Sequence, residues 1–325
     1  MDPHLAPAVS LRQLQYIVAV ADEGGFRRAA DACHVAQPSL SAQVAIAERD
    51  LGVQIFERDR RRVRVSVAGG PIVAQARRVL LAAADLRELA RQADVFGGTL
   101  RLGVIPTVCP YLLPDISPAL TRAFGSLTII WREERTARLV ELIDTGALDG
   151  AVVALEADLG DLEYQVLGRD PFVLAAAPGH PLVGPRSPAS VDVLDGARVL
   201  LLDDGHCLRD QALGLCSRAG GQELGFRATS LATLVQMVGS NAGVTLLPSV
   251  ALSVENRRGQ LRVRRFASPG PGRTIVLAWR RGSAIADALG RIADVIRKAA
   301  PLDHHAENAA HRTKRTGKMR YRNRR

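Results

Sequence analysis

Downstream of the Gly97-Gly98 pair the sequence alternates short apolar runs with amphipathic ones, and this order restricts the fold more than any other feature of the chain. TLRLGVIPTV reads as a strand, LLPDISPALTRAF as a helix, LTIIWREE as a strand, TARLVELIDTG as a helix and LDGAVVAL as a buried strand. The theme returns with RVLLLDD, LATLVQMVGSNAG and VTLLP, then TIVLAWR and a last helix predicted from Ala284 to Ala299. Strands alternating with helices predict an α/β architecture on a parallel sheet. Two rounds of the pattern predict two lobes around a cleft.

At 325 residues the chain is long enough for two or three cores, so several domains are expected. No apolar run approaches the roughly 20 residues of a membrane-spanning helix, so no membrane association is expected. The amino terminus, MDPHLAPAVS, has neither a basic n-region nor an apolar h-region, which predicts a cytoplasmic protein whose cysteines rest as thiols. Of the formal charge of +10, most sits after Pro301, where eight Lys or Arg face only Asp303 and Glu307. Residues 301–325 therefore read as a basic, disordered tail: either an inert solvated extension or a source of sequence-independent attraction to nucleic acid.

Residues 11–69 read as short helices followed by a basic hairpin. LRQLQYIVAVADEG places Leu14, Ile17, Val18 and Ala21 at helical spacing, and Gly24-Gly25 ends the helix. FRRAADACHV makes a second helix with Phe26, Ala29, Ala30 and Cys33 facing inward. Pro38 suits the first position of a third helix, whose stripe of Leu40, Val44, Ala47 and Leu51 leaves Ser39 and Gln43 on a polar flank. A helix of this size fits the major groove of DNA, where hydroxyl and amide side chains read bases or anchor phosphates. In ERDRRRVRVSVAGG the alternation Arg62, Val63, Arg64, Val65 predicts a wing that buries valines and offers arginines to a phosphate backbone. Spacing alone also permits a small helical dimerisation module.

The residues themselves are more specific. FRRAADACHVAQPSLSAQV followed by DLGVQIFERDRRRVRVSVAG resembles the winged helix-turn-helix of LysR-type transcriptional regulators. The resemblance implies DNA contacts from Gln37, Ser39 and Gln43, with Arg58, Arg61 and Arg62 on the backbone. Ser66 stands where the family usually has threonine, and AIAERD is more polar than the family's usual run. Residues 70–96 have unbroken helical periodicity from Ile72 to about Phe96 and are similar to the family's dimerisation linker helix, although an intramolecular packing helix has the same pattern. Residues 97–300 resemble its periplasmic-binding-protein-like, two-lobed regulatory domain.

Two of the four cysteines, Cys207 and Cys216, stand nine residues apart in DGHCLRDQALGLC. If that stretch is helical, they are separated by about 13.5 Å along the axis on opposite faces. A disulfide needs Cα atoms within about 7 Å, so pairing requires the segment to unwind. His206, Arg209 and a helix amino terminus beside Cys207 predict a thiol that ionises more readily than a free cysteine. Its thiolate would attack a peroxide to give a sulfenic acid, on which a second thiol can condense.

LDDGHCLRDQALGLC, with IPTVCPYLLP, FRATSLATL, VTLLP and GRTIVLAW, resembles the hydrogen-peroxide-sensing members of the LysR family from Leu11 to about Ala299. This likeness implies that Cys207 is the peroxidatic and Cys216 the resolving cysteine. It also implies that Thr107, Thr136 and His206 orient peroxide and that Arg209 and Arg273 give electrostatic support. Further implications are a homotetramer, a dimer of dimers, on a double-stranded DNA operator in the bacterial nucleoid. RNA polymerase is the implied partner in activating antioxidant genes, and glutaredoxin or glutathione the implied reductant. Cys109 stands where these relatives more often have glycine, and reads either as a small buried hydrophobe or as a competitor of Cys216. No cofactor is expected, and no metal, since no paired C-x-x-C or H-x-x-x-H spacing occurs. The runner-up readings are a LysR-type regulator that binds a small organic effector in its cleft, and a thiol peroxidase, for which a winged helix-turn-helix has no use.

Overall fold

The computed structural model describes residues 9–58, 63–91, 95–185 and 187–304, with the side chains of Arg58, of 87–91 and of Val95 excepted. They fall into two compact units: the described residues up to 91 together with 144–146, and the remaining described residues.

The first unit begins with α1 (Leu11–Glu23), α2 (Phe26–Ala32) and α3 (Gln37–Leu51). Ser10 and Gln13 cap α1 reciprocally: the Gln13 N–H donates to Ser10 Oγ at 3.2 Å and the Ser10 N–H to Gln13 Oε1 at 2.8 Å. Gly24, at φ 61°, closes the helix in the left-handed region that glycine enters without a Cβ clash. The buried face of α1 is Gln13, Tyr16, Ile17 and Val20, whereas Leu14, Val18 and Ala21 are half-buried. The predicted stripe is thus rotated, because α1 packs against α2, α3 and a later helix at once. The stripe on α3 is as expected, with Leu40, Val44 and Ala47 buried and Leu51 at the edge of the core. Cys33 is the half-buried residue that caps α2, and it packs against the same core as Phe26, Ala29 and Ala30.

The hairpin pairs β1 (Phe56–Arg58) antiparallel to β2 (Val63–Val65). Val63 is half-buried but Val65 is exposed, so the wing does not bury both valines. Two departures from the family pattern gain a physical meaning. Glu48, in the polar AIAERD run, accepts from the N–H groups of Ile55 and Phe56 at 2.8 and 3.0 Å and so ties α3 to the wing. Ser66 Oγ donates to Gln54 O at 2.6 Å and accepts from Gly69 N–H at 2.9 Å, which caps α4 (Gly69–Arg91). A Cβ at Gly69 would meet Ile55 O at 2.3 Å, so only glycine fits there. Along α4 Val73 and Ala76 are buried, while Leu86 is 69% exposed.

The second unit contains β3 (Thr99–Val104), α5 (Cys109–Ala123), β4 (Thr128–Glu133), α6 (Thr136–Asp144), β5 (Gly150–Ala154) and β6 (Glu163–Ala176). It continues with β7 (Arg198–Leu202), α7 (Cys207–Arg218), β8 (Gln222–Ala228), α8 (Leu231–Gly239) and β9 (Thr245–Pro248). The short α9 (Leu252–Glu255), β10 (Arg262–Arg265), β11 (Gly272–Trp279) and α10 (Ala286–Ala299) complete it. The main sheet runs β10-β6-β11-β5-β3-β4, with β9 also paired to β6. It is mixed, not parallel as the alternation predicted: β3 is parallel to β4 and β5, but β11 returns antiparallel between β5 and β6. β6, which carries this return, is hidden in the sequence because Gly168 and Pro171 interrupt its apolar run. It joins two lobes, pairing with β11 through one half and with β9 and β10 through the other. Beyond α10, Leu302 is buried and Asp303 exchanges two backbone hydrogen bonds with Arg169 at 2.8 Å, so ordered chain reaches His304; the rest of the predicted tail lies outside the described residues.

Candidate functional site

The junction of β7 and α7 is built by backbone geometry that the sequence dictates locally. Gly205 adopts φ 85°, where an added Cβ would meet the Arg135 guanidinium at 2.9 Å. His206 is the extended residue before the helix, and Cys207 is its first helical residue. α7 is helical from Cys207 to Arg218 as expected, and the two cysteines are free thiols. Cys207 is half-buried and packs against the larger core of the unit. Cys216 is buried in a second core, among Leu194, Val199, Ala212 and Leu246. The helix thus holds the two sulfurs in different cores, with about 13.5 Å of axial rise between them.

Around Cys207 the groups arrive from distant segments. Thr136, 7% exposed, opens α6, and its hydroxyl lies against the Cys207 sulfur, where it favours the thiolate. The contact falls short of a well-formed hydrogen bond, and this oxygen, shut off from solvent, has no other partner among the described residues. Arg273, on β11, is fully buried and held from two sides. It donates through Nη1 to Thr107 Oγ1 at 2.6 Å, through Nη2 to the Thr107 carbonyl at 2.8 Å, and through Nε to Asp170 Oδ2 at 3.0 Å. The other Asp170 oxygen accepts from Ser249 Oγ and Val250 N–H. The ion pair therefore replaces the hydration that both charges lost. Thr107 Oγ1 accepts from a cation, which leaves its O–H free to donate elsewhere.

The electrostatics differ from the expectation. Burial pushes the Cys207 thiol above its ordinary value of 9.0, outweighing the Arg273 charge, the Thr136 hydroxyl and the Leu208 N–H, all of which favour the thiolate. His206 supplies no positive charge: burial first, then the Arg135 guanidinium, pull it below its ordinary value, although Asp203 and the Thr229 backbone oppose this. Arg209 does not support the thiol; it donates to Asp204 at 2.8 Å, to Glu223 at 2.9 and 3.3 Å and to Leu202 O at 3.2 Å, fastening the β7–α7 turn to β8. Neighbours in sequence suggested an activated thiol, but helix direction sends Arg209 away from it and packing strips it of water. Cys216 is pushed up to about 11 by burial. Cys109 is pushed up to about 12 by burial and by Glu133, which accepts from the thiol, so Cys109 is held neutral. Asp170, Arg135 and Glu133 escaped the sequence reading; a lone carboxylate in the apolar stretch RDPFVLAA was the only signal for Asp170.

On the other unit, Gln37 and Ser39 are exposed at the start of α3 and Gln43 is half-buried one turn on. Arg58 ends β1, though its side chain, like Arg61 and Arg62 entirely, lies outside the described residues. Among the described residues no cluster of His, Cys, Asp or Glu has the arrangement of a metal site, and no helix is long and apolar enough to cross a membrane.

Residues 11–70 match the bacterial regulatory helix-turn-helix of the lysR family, and residues 93–301 match the LysR substrate binding domain. The chain belongs to the LysR family of transcriptional regulators. It is 43% identical to the hydrogen peroxide-inducible genes activator of Dickeya chrysanthemi, over 89% of this chain and 95% of that one. It is 42% identical to the DNA-binding transcriptional dual regulator OxyR of Escherichia coli, over 91% of this chain and 97% of that one. A full-length OxyR variant from Pseudomonas aeruginosa superposes with a TM-score of 0.73 at 36% identity, covering 90% of this chain and 95% of that one. As a LysR regulator of the OxyR type, the chain is a DNA-binding protein and not an enzyme.

Proposed function

We propose that this LysR regulator senses hydrogen peroxide through Cys207 and stores the signal as a Cys207–Cys216 disulfide. The observation that carries the reading is that α7 seats two free thiols in two different cores, so joining them must unfold the helix. Peroxide is small enough to reach a half-buried sulfur. The Thr136 hydroxyl and the free O–H of Thr107 are the groups we assign to holding its oxygens, with Arg273 stabilising negative charge at the sulfur. His206, kept neutral by burial and Arg135, is suited to accept or pass a proton.

Cys207 sulfur attacks one peroxide oxygen and the O–O bond breaks. The departing hydroxide takes up the proton that the thiol loses and leaves as water, so Cys207 becomes a sulfenic acid. Once α7 opens, the Cys216 sulfur attacks the Cys207 sulfur, the S–O bond breaks and a second water leaves. Two thiols and one peroxide thus yield one disulfide and two waters. A glutathione- or glutaredoxin-type dithiol couple in the bacterial cytoplasm reverses the step. The refolded segment shifts how a tetramer, a dimer of dimers, sits on its operator, and Gln37, Ser39 and Gln43, with Arg58, Arg61 and Arg62, make the DNA contacts that report this to RNA polymerase.

The test is disulfide mapping by mass spectrometry before and after one equivalent of peroxide, on the full-length protein and on Cys207→Ser. The expected product is a Cys207–Cys216 peptide pair that the substitution abolishes. Peroxide-dependent changes in the DNA footprint that persist in Cys207→Ser would sink the proposal.

A further inference from the structure

The second lobe carries a feature that thiol chemistry and DNA binding leave unused. A cavity of about 660 Å³ opens beside β10, lined by Arg262, Arg264, Arg265, His180 and Val183, and by no carboxylate among the described residues. We propose that it binds a small polyanion, a molecule carrying two or more phosphate charges.

Three observations support this. Among the described residues Arg264 is fastened by neutral groups only: Nε donates to Ser187 O at 2.8 Å, Nη1 to Leu182 O at 3.2 Å and Nη2 to Pro188 O at 3.4 Å. Its charge is therefore fixed in position but not neutralised, and two of its five N–H groups remain to donate. Arg262 and Arg265 are exposed on the same strand and meet no acidic partner among the described residues. His180 Nδ1 accepts from Leu182 N–H at 3.3 Å, which puts the ring proton on Nε2 and makes that nitrogen a further donor.

Such a density of unpaired positive charge costs self-repulsion, which a bound anion would relieve. The wall is preorganised as well: Pro181, Pro185 and Pro188 each fix a backbone angle, and Val183 belongs to the core that holds Cys216. The volume lies within the roughly 300–1,000 Å³ of small-molecule sites. Double-stranded DNA, by contrast, is met by convex elements that enter its grooves and not by a concavity of this size. Guanidinium forks match phosphate oxygens in pairs, which favours phosphate over a single carboxylate.

The experiment is calorimetric titration of the full-length thiol-form protein with inorganic tripolyphosphate and, in parallel, with ATP. Two double variants have equal loss of charge: Arg262→Gln with Arg265→Gln inside the cavity, and Arg257→Gln with Arg258→Gln at exposed positions outside it. One saturable site per chain is expected, weakened about tenfold or more by the first pair and little by the second. Val263→Glu, which sets an acid at an exposed position on the cavity wall, is a second route to the same loss without removing an arginine. Equal affinity for the two probes assigns the site to phosphate charge alone, and tighter ATP binding assigns it to a nucleotide. Absence of saturable binding, equal weakening by both pairs, or full affinity in the cavity variants would each overturn the proposal.

Discussion

Gly214 lies in the middle of α7, between the two thiols, and a Cβ built there meets nothing within 4 Å. Gly214→Ala therefore adds no clash, and it removes the entropic cost of a glycine inside a helix, about 0.5–1 kcal/mol. If disulfide formation requires α7 to open, this stabilisation belongs to the dithiol state alone. Stabilising the reduced partner of a redox couple raises its midpoint potential. For a two-electron couple about 1.4 kcal/mol corresponds to 30 mV, so the substitution should make the couple more oxidising by roughly 10–20 mV. The variant should thus be harder to oxidise and easier to reduce. Equilibration in a series of glutathione buffers, with thiol counting, reads the midpoint, and chemical denaturation of the dithiol form reads the helix stabilisation. A dithiol form that is stabilised while its potential stays put, or becomes more negative, would refute the claim that the helix must break.

Because burial holds Cys207 above its ordinary value, its thiolate fraction should grow about tenfold per pH unit near neutrality, and so should the rate with peroxide; a flat stopped-flow profile between pH 7 and 8 would contradict this. Thr136→Val keeps the shape of the side chain and removes the hydroxyl beside the sulfur, so peroxide should react about tenfold more slowly with an unchanged melting curve. Asp170→Ala leaves the fully buried Arg273 without its carboxylate and should cost about 3–5 kcal/mol in urea unfolding. For His206 the folded value is lowered, so the unfolded chain binds the proton first and stability falls as pH drops below about 6.5. His206→Gln should remove that part of the acid destabilisation, seen as a flatter dependence of the denaturation midpoint on pH.

Legibility from sequence divided along a physical line. Helix ends were legible wherever a local device sets them: Gly24 and the run from Cys207 act where they were expected to, while Pro38 stands second in α3 and not first, since the N–H it lacks would be unpaired anywhere in the first turn. The burial face of α1 was not, because three neighbouring helices decide it together. The antiparallel direction of β11 and the interrupted strand β6 were missed, since strand direction depends on where the chain returns and not on its apolar rhythm.

The chain by itself determined that Cys207 and Cys216 are kept apart, because a nine-residue interval on a helix is a matter of backbone geometry alone. Only tertiary structure decided how each thiol ionises. Desolvation depends on which elements pack over a group, and the charge that matters most to Cys207 comes from Arg273, paired with Thr107 from 166 positions away, and not from His206 or Arg209 beside it. Backbone geometry is a property of neighbours along the chain, whereas electrostatics in a core is a property of neighbours in space.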